Sequence, residues 1–255
     1  MSNQTIIIGD VHGCLDELKE LLDACAFLRG KDRCILAGDL IDRGPDSPGV
    51  VRFARDIGAE VIAGNHEVKL CRRQRHMMSM KMNPLYKNPM KPSEDQERTI
   101  EALDYSDISW LRFLPTYVSL PEFNINVVHA GVVNDVPIHE QTREVLTMIR
   151  YIDEKTDKMV PMEMPGFKQP AGSLYWADIY RGSTDIVYGH NVIDLVNPVI
   201  TENDSGGRTY GIDQGCVFGG RLTALILDPD KPFERSFVQV QAKKAYKVYG
   251  GSVTE

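Results

Sequence analysis

Five short apolar runs, at residues 5–8, 34–37, 60–63, 125–128 and 185–188, set the terms for any fold this chain can adopt. Each stops at a polar residue beside glycine: Gly9-Asp10, Gly38-Asp39, Gly64-Asn65, His129-Ala130-Gly131 and Gly189-His190. Short β-branched runs bounded in this way read as buried strands. After the first, Leu15, Leu18, Leu21, Leu22 and Cys25 recur at helical spacing. Ser47-Pro48 supplies an N-cap and first-turn pair for a helix reaching about Ile57. Strands alternating with helices predict an α/β fold. Three more runs, at 208–213, 221–227 and 236–241, are marked off by Gly206-Gly207, Gly219-Gly220 and Pro229-Asp230. They predict a second, mostly antiparallel sheet sharing one core with the first. The expected architecture is an α/β fold in which a two-sheet β-sandwich is flanked by helices.

Ligand sites in α/β sheets lie outside the carboxyl ends of the strands. Asp10 and His12 lie two apart, so on an extended chain they point to one side and could grip one metal. Asp39 sits where its strand ends, with two oxygens able to bridge two cations. Asp42 and Arg43 follow within one turn. A carboxylate there can orient a histidine, and a guanidinium fork matches phosphate oxygens. Asn65 offers a neutral oxygen, and His66 beside it could protonate a leaving group. His129 and His190 add two imidazoles. Each feature alone is ordinary: a solvated loop, a charged turn worth little, a structural histidine. Together Asp10, His12, Asp39, Asn65, His129 and His190 form an oxygen and nitrogen set needing no thiolate. Such a set suits manganese, iron, nickel or zinc. It is large enough for two divalent cations, which at about 3.5–4 Å apart can clamp a phosphate and ionise a water between them.

The segments Gly9-Asp10-Val11-His12-Gly13, Gly38-Asp39-Leu40-Ile41-Asp42-Arg43-Gly44, Gly64-Asn65-His66-Glu67, His129-Ala130-Gly131 and Gly189-His190 occur in that order. This series resembles the signature of the phosphoprotein phosphatase (PPP) family of metallophosphoesterases. The segments 176–182 and 211–225 look like its bacterial and phage branch, which includes small protein phosphatases, diadenosine tetraphosphatases and the phosphatase module of bacterial polynucleotide kinase-phosphatases. The resemblance implies that Asp10, His12 and Asp39 hold one metal, and that Asp39, Asn65, His129 and His190 hold the other, with manganese the first expectation. It implies that Arg43 and Arg150 bind phosphate and that His66, steadied by Asp42, is the general acid. Asn191 stands where threonine or serine is usual in the family, and Gln214 where threonine is usual.

Composition narrows the partners. The chain has 255 residues, 42% hydrophobic and 25% charged, as expected of one globular domain over 1–255. A formal net charge of -7 argues against stable binding of long nucleic acid, although bound cations would still admit anionic substrates. The five cysteines are odd in number and include no CxxC pair, which predicts free thiols in a reducing cytoplasm. No apolar stretch nears the ~18 residues of a membrane span, and the amino-terminal residues lack a targeting pattern. Residues 72–98 are basic and methionine-rich, with Pro84, Pro89 and Pro92 forbidding one continuous helix. They read as a surface excursion in preference to a lid or substrate-contact segment.

The expected function is hydrolysis of phosphomonoesters by attack of a water ionised between the two metals, with serine/threonine protein phosphatase activity. One alternative is hydrolysis of dinucleoside tetraphosphates. Another is removal of a phosphate or cyclic phosphate from an RNA end. A non-catalytic phosphate-binding module is the reading of another class. Such a module would lack a ligand or Arg43, and here every expected position is filled.

Overall fold

A computed structural model describes residues 3–160 and 169–248. The first half alternates strand and helix: β1 (Thr5–Ile8), α1 (Leu15–Ala24), β2 (Arg33–Leu36), α2 (Ser47–Ile57), β3 (Glu60–Val61) and α3 (Asn65–Met82). Two helices follow, α4 (Glu94–Ala102) and α5 (Tyr105–Arg112), then β4 (Tyr117–Leu120), β5 (Ile125–Val128) and α6 (Arg143–Met148). Three short strands come next, β6 (Tyr151–Asp153), β7 (Met159–Val160) and β8 (Ser173–Tyr175). The remainder is β9 (Asp185–Tyr188), β10 (Val199–Glu202), β11 (Arg208–Gly211), β12 (Asp213–Gln214), β13 (Arg221–Leu227) and β14 (Ser236–Gln241).

Two main mixed sheets face each other. In the first, β1, β2 and β3 are parallel neighbours, and β13 pairs antiparallel with β1. β14 occupies one edge of β13 over residues 221–226, so β12 and β1 share its other edge end to end. The second sheet runs β10-β11-β9-β5-β4, with β9 parallel to both β11 and β5. A third, small sheet is β7-β6-β8.

The two sheets were expected, but the division of strands between them was not. The runs at 208–213, 221–227 and 236–241 do not make a sheet of their own. β13 and β14 belong to the first sheet, β11 belongs to the second, and β5 and β9 leave the first sheet to form the centre of the second. Burial explains the placement of β13. Leu225 and Leu227 pack between the sheets while Leu222 and Ala224 pack under the helices, so both faces need cover and the strand must lie inside a sheet. Alternation serves β1 in the same way: Ile7 points between the sheets, and Ile6 and Ile8 point toward the α1 and α2 side. On the far face of the second sheet, Val128, Ile186 and Tyr188 pack with Leu146, Ile149 and Trp176.

The helix ends follow local chemistry. Asp46, not Ser47, caps α2, its carboxylate accepting from Gly49 N–H at 2.7 Å. The Ser47 hydroxyl instead accepts from Asp42 N–H at 2.9 Å, tying the Asp42 turn to the helix start. α3 ends at Met82, ahead of Pro84, and α4 begins after Pro92. Within the basic stretch, Arg73 is buried and donates to Gln96 at 2.9 Å and to Lys91 O at 2.6 Å, so it braces the α3–α4 connection. All five cysteines are buried free thiols. No helix of the described residues is long and apolar enough to cross a membrane.

Candidate active site

The loops after β1, β2 and β3 and those after β5 and β9 converge at one end of the two sheets. They bring together all six ligand candidates, Asp10, His12, Asp39, Asn65, His129 and His190, with His66, Asp42 and Arg43 beside them. Among the described residues, two groups have ligand atoms within 4.8 Å of one another: His12, Asp39 and His66, and Asp39, His129 and His190. Asp39 is common to both. Its Oδ2 lies 3.5 Å from His12 Nε2, and its Oδ1 lies 3.4 Å from His129 Nε2. Asp10 Oδ2 is 3.9 Å from His12 Nε2.

The imidazoles are aimed by backbone carbonyls. His12 Nδ1 lies 2.8 Å from Ile41 O, and His129 Nδ1 lies 2.9 Å from Ala37 O. A carbonyl only accepts, so each Nδ1 carries a proton and each Nε2 is turned toward the cluster. Burial works to lower the proton affinity of His129, but Asp39 and then Asp10 raise it to about 10. Arg43 donates to His12 Nε2 at 2.7 Å and stacks over Phe218 with 5.4 Å to the ring centroid. His190 N–H donates to Asp10 Oδ1 at 3.0 Å, joining the second sheet to the first. The Asn65 amide can be set in two ways. With its nitrogen inward it donates to His190 Nδ1 at 2.8 Å and to Asp39 Oδ2 at 3.2 Å, while its oxygen accepts from Lys69 at 3.1 Å. With its oxygen inward it offers the neutral ligand that the sequence predicts.

His66 Nδ1 is 2.6 Å from Asp42 Oδ2, leaving Nε2 toward the cluster at 3.9 Å from Asp39 Oδ2. Arg150 is half-buried at the rim, where it donates to Asn191 Oδ1 and, at 3.3 Å, to His190 O. Backbone strain concentrates here. Of nine non-glycine residues with positive φ among the described residues, five are His12, Asp39, Asp42, Arg43 and His190. Such conformations persist where the surroundings over-determine them.

Two contributors were not singled out from the sequence. Glu67, fully buried, accepts from the N–H groups of Asp39 (3.0 Å), Leu40 (2.9 Å) and Gly64 (2.8 Å), fastening the β2 loop to the start of α3. Its place three residues past the helix N-cap was the available signal, since a glutamate there reaches back to the cap N–H. Asp213, also buried, accepts from Gly215 N–H at 3.0 Å and acts on Asp10. No spacing rule could place it, because β12 reaches the cluster only through the pairing of β13.

The donor set fits a pair of cations on electrostatic grounds. Asp10, Asp39 and Asp213 are 4%, 2% and 6% exposed, and buried carboxylates demand compensation. Burial, and then Asp213, push the Asp10 carboxyl well above the ordinary range. Burial also works to raise Asp39, but His129, His66 and His12 hold it well below that range. His190 is pushed down by burial and then by Arg150, so its ring is neutral, as a metal ligand must be.

A family model for the calcineurin-like phosphoesterases matches residues 4–224. An asymmetrical bis(5'-nucleosyl)-tetraphosphatase, PrpE, of Halalkalibacterium halodurans is 35% identical over 239 residues, 86% of this chain and 88% of that protein. A symmetrical bis(5'-nucleosyl)-tetraphosphatase of Nitrosococcus oceani is 28% identical over 275 residues, 88% of this chain and 93% of that one. A crystal structure described provisionally as a diadenosine tetraphosphatase covers 95% of both chains, with a TM-score of 0.72 and 28% identity. The His and Asp clusters are consistent with a dinuclear metal centre, and the chain belongs to the calcineurin-like phosphoesterase family of hydrolases.

Proposed function

We propose that this enzyme hydrolyses dinucleoside tetraphosphates, cleaving a phosphoanhydride bond of the bridge. The observation that carries the reading is that relatives matched over most of both chains are bis(5'-nucleosyl)-tetraphosphatases. It displaces the phosphoprotein reading of the sequence, which no comparison specifically supports. The site's charge is compatible with it: Arg43 and Arg150 both act electrostatically on Lys69, so three cationic groups stand near one another, as a chain of several phosphates would use.

In this reading Asp10, His12 and Asp39 hold one divalent ion, and Asp39, Asn65, His129 and His190 hold the other, manganese being the first candidate. Two such ions supply a water acidic enough to ionise near neutral pH and neutralise charge on the reacting phosphate. The protein does the rest. Asp39 fixes the spacing between the two ligand groups, and Glu67 fixes Asp39. Arg43 and Arg150 hold the non-bridging oxygens, where charge is spread in a loose phosphoryl transition state. The Asp42 carboxylate keeps the His66 ring turned so that Nε2 can protonate the departing phosphate oxygen. A nucleotide leaving group is less basic than an alkoxide, so loss of His66 costs less on the anhydride than on an alkyl phosphate.

The test is one assay series, with manganese, of diadenosine tetraphosphate, a phosphoserine peptide and a 2′,3′-cyclic nucleotide, followed by separation of the nucleotide products. The expected result is a kcat/KM for the dinucleotide at least ~100-fold above the others, a difference of about 2.7 kcal/mol in transition-state binding. Products of ADP alone, or of ATP with AMP, assign the bond cleaved. Preference for the phosphopeptide or the cyclic nucleotide would overturn the reading.

A further inference from the structure

α3 starts at Asn65, a metal-ligand candidate, and carries Lys69 one helical turn on. Residues four apart on a helix share a face, so Lys69 stands on the same stripe as Asn65. Its ammonium reaches the Asn65 amide, 3.1 Å from the oxygen when the nitrogen is turned inward. Burial lowers its proton affinity, and Asp39, Arg43, Arg150 and Asp42 all act on it electrostatically. Lys69 is exposed as a residue while its ammonium is drawn in beside these groups, as expected of a long stem with a charged tip. No carboxylate forms a salt bridge with it among the described residues. Arg72, exposed and three residues further on, continues the stripe away from the cluster.

The Asn65 amide cannot serve a cation through its oxygen and hold Lys69 through the same atom. When the oxygen turns inward, the amide group left facing Lys69 is Nδ2, a donor, and an ammonium has only donors to offer. Lys69 then has no acceptor on Asn65 and is open to solvent or a ligand, on the side of Asn65 away from Asp39, His129 and His190. A phosphate next to the one under attack would supply that acceptor.

We infer that Lys69 forms a subsite for the second phosphate of a polyphosphate substrate, selecting a phosphoanhydride chain over a lone phosphate monoester. This deepens the proposed function and names the residue that reads the length of the phosphate chain. Lys69 is a specificity-determining residue, outside the set that holds metal or moves protons.

The test is calorimetric binding to manganese-loaded enzyme of two probes that are not turned over, the α,β-methylene analogue of ADP and orthophosphate. Metal content is measured alongside. In Lys69→Gln the analogue should bind about tenfold more weakly, the scale of one lost charge-assisted hydrogen bond. Orthophosphate should change less than twofold, with metal content unchanged, and Lys69→Arg should recover most of the loss. Equal weakening of both probes, no weakening of either, or loss of metal from the glutamine variant would each overturn the subsite. Hydrolysis of diadenosine tetraphosphate by the wild-type enzyme is scored separately. If it fails while the selective loss at Lys69 persists, the proposed substrate falls and the subsite stands.

Discussion

The half of the site carried by the first sheet comes from one continuous stretch, residues 9–67, whereas the half carried by the second is gathered from segments around His129, Arg150 and His190. The first half is braced within itself. His12 N–H donates to Asp39 O at 2.8 Å, Gly13 N–H to Leu40 O at 2.8 Å, and Glu67 ties three backbone N–H groups of the same stretch. The second half has fewer braces of its own. Gly189 N–H donates to His129 O at 2.9 Å and Arg150 donates to His190 O at 3.3 Å, but the ties that aim its two imidazole segments cross between the sheets: His129 to Ala37 O and His190 N–H to Asp10. One half is therefore set by local loop structure and the other by how the sheets dock. Asp39 belongs to both.

Substitutions can separate these cases. Asp39→Asn removes charge from the shared carboxylate and should strike both halves at once. We expect kcat/KM to fall by at least ~10³-fold, beyond the loss of a single transition-state hydrogen-bond donor, with metal content reduced by elemental analysis. Retained turnover would deny that the halves share this residue. His66→Ala touches only the first half. Turnover of an alkyl phosphate should fall by about 10²-fold or more with two metals still bound, and loss of metal instead would make His66 a ligand.

Gly189→Ala acts on the joint between the halves, because a Cβ there would overlap Asp10 Oδ1. Metal titration should show weakened affinity, roughly 10–100-fold on the scale of disturbed ligand support, at one site more than the other. Equal weakening at both sites would mean that the halves are not separable. Arg235→Met is the mildest in activity. Arg235 precedes β14 and crosses to the second sheet, donating to Phe123 O at 2.9 Å and to Asp185 Oδ2 at 3.4 Å. Its loss should reduce stability in denaturant by about 1–3 kcal/mol, the cost of leaving buried polar partners unmet, with kcat/KM changed less than twofold. A larger activity loss would show that sheet docking matters beyond the His190–Asp10 contact.

The same division explains what was legible in the sequence. β1, β5 and β9 were readable to the residue because each is a buried run with glycine at its end. The ligand candidates were readable because each lies just past one of the five runs, Asp39 and Asn65 past those at 34–37 and 60–63. The sheet assignment of β13 was not, since pairing with β1 spans more than 200 residues and leaves no local pattern. Asp213 depends on that pairing, and the Asn191 contact to Arg150 joins segments 41 residues apart. Lys69 was not singled out from the sequence, because its meaning depends on which atom of Asn65 turns inward.

The central claim is that two cations sit between these halves, bridged by Asp39. Anomalous diffraction from crystals grown with manganese tests it directly. Two peaks about 3.5–4 Å apart, one beside Asp10 and His12 and one beside Asn65, His129 and His190, with Asp39 touching both, are the result predicted. A single peak, or peaks that do not touch Asp39, would contradict it.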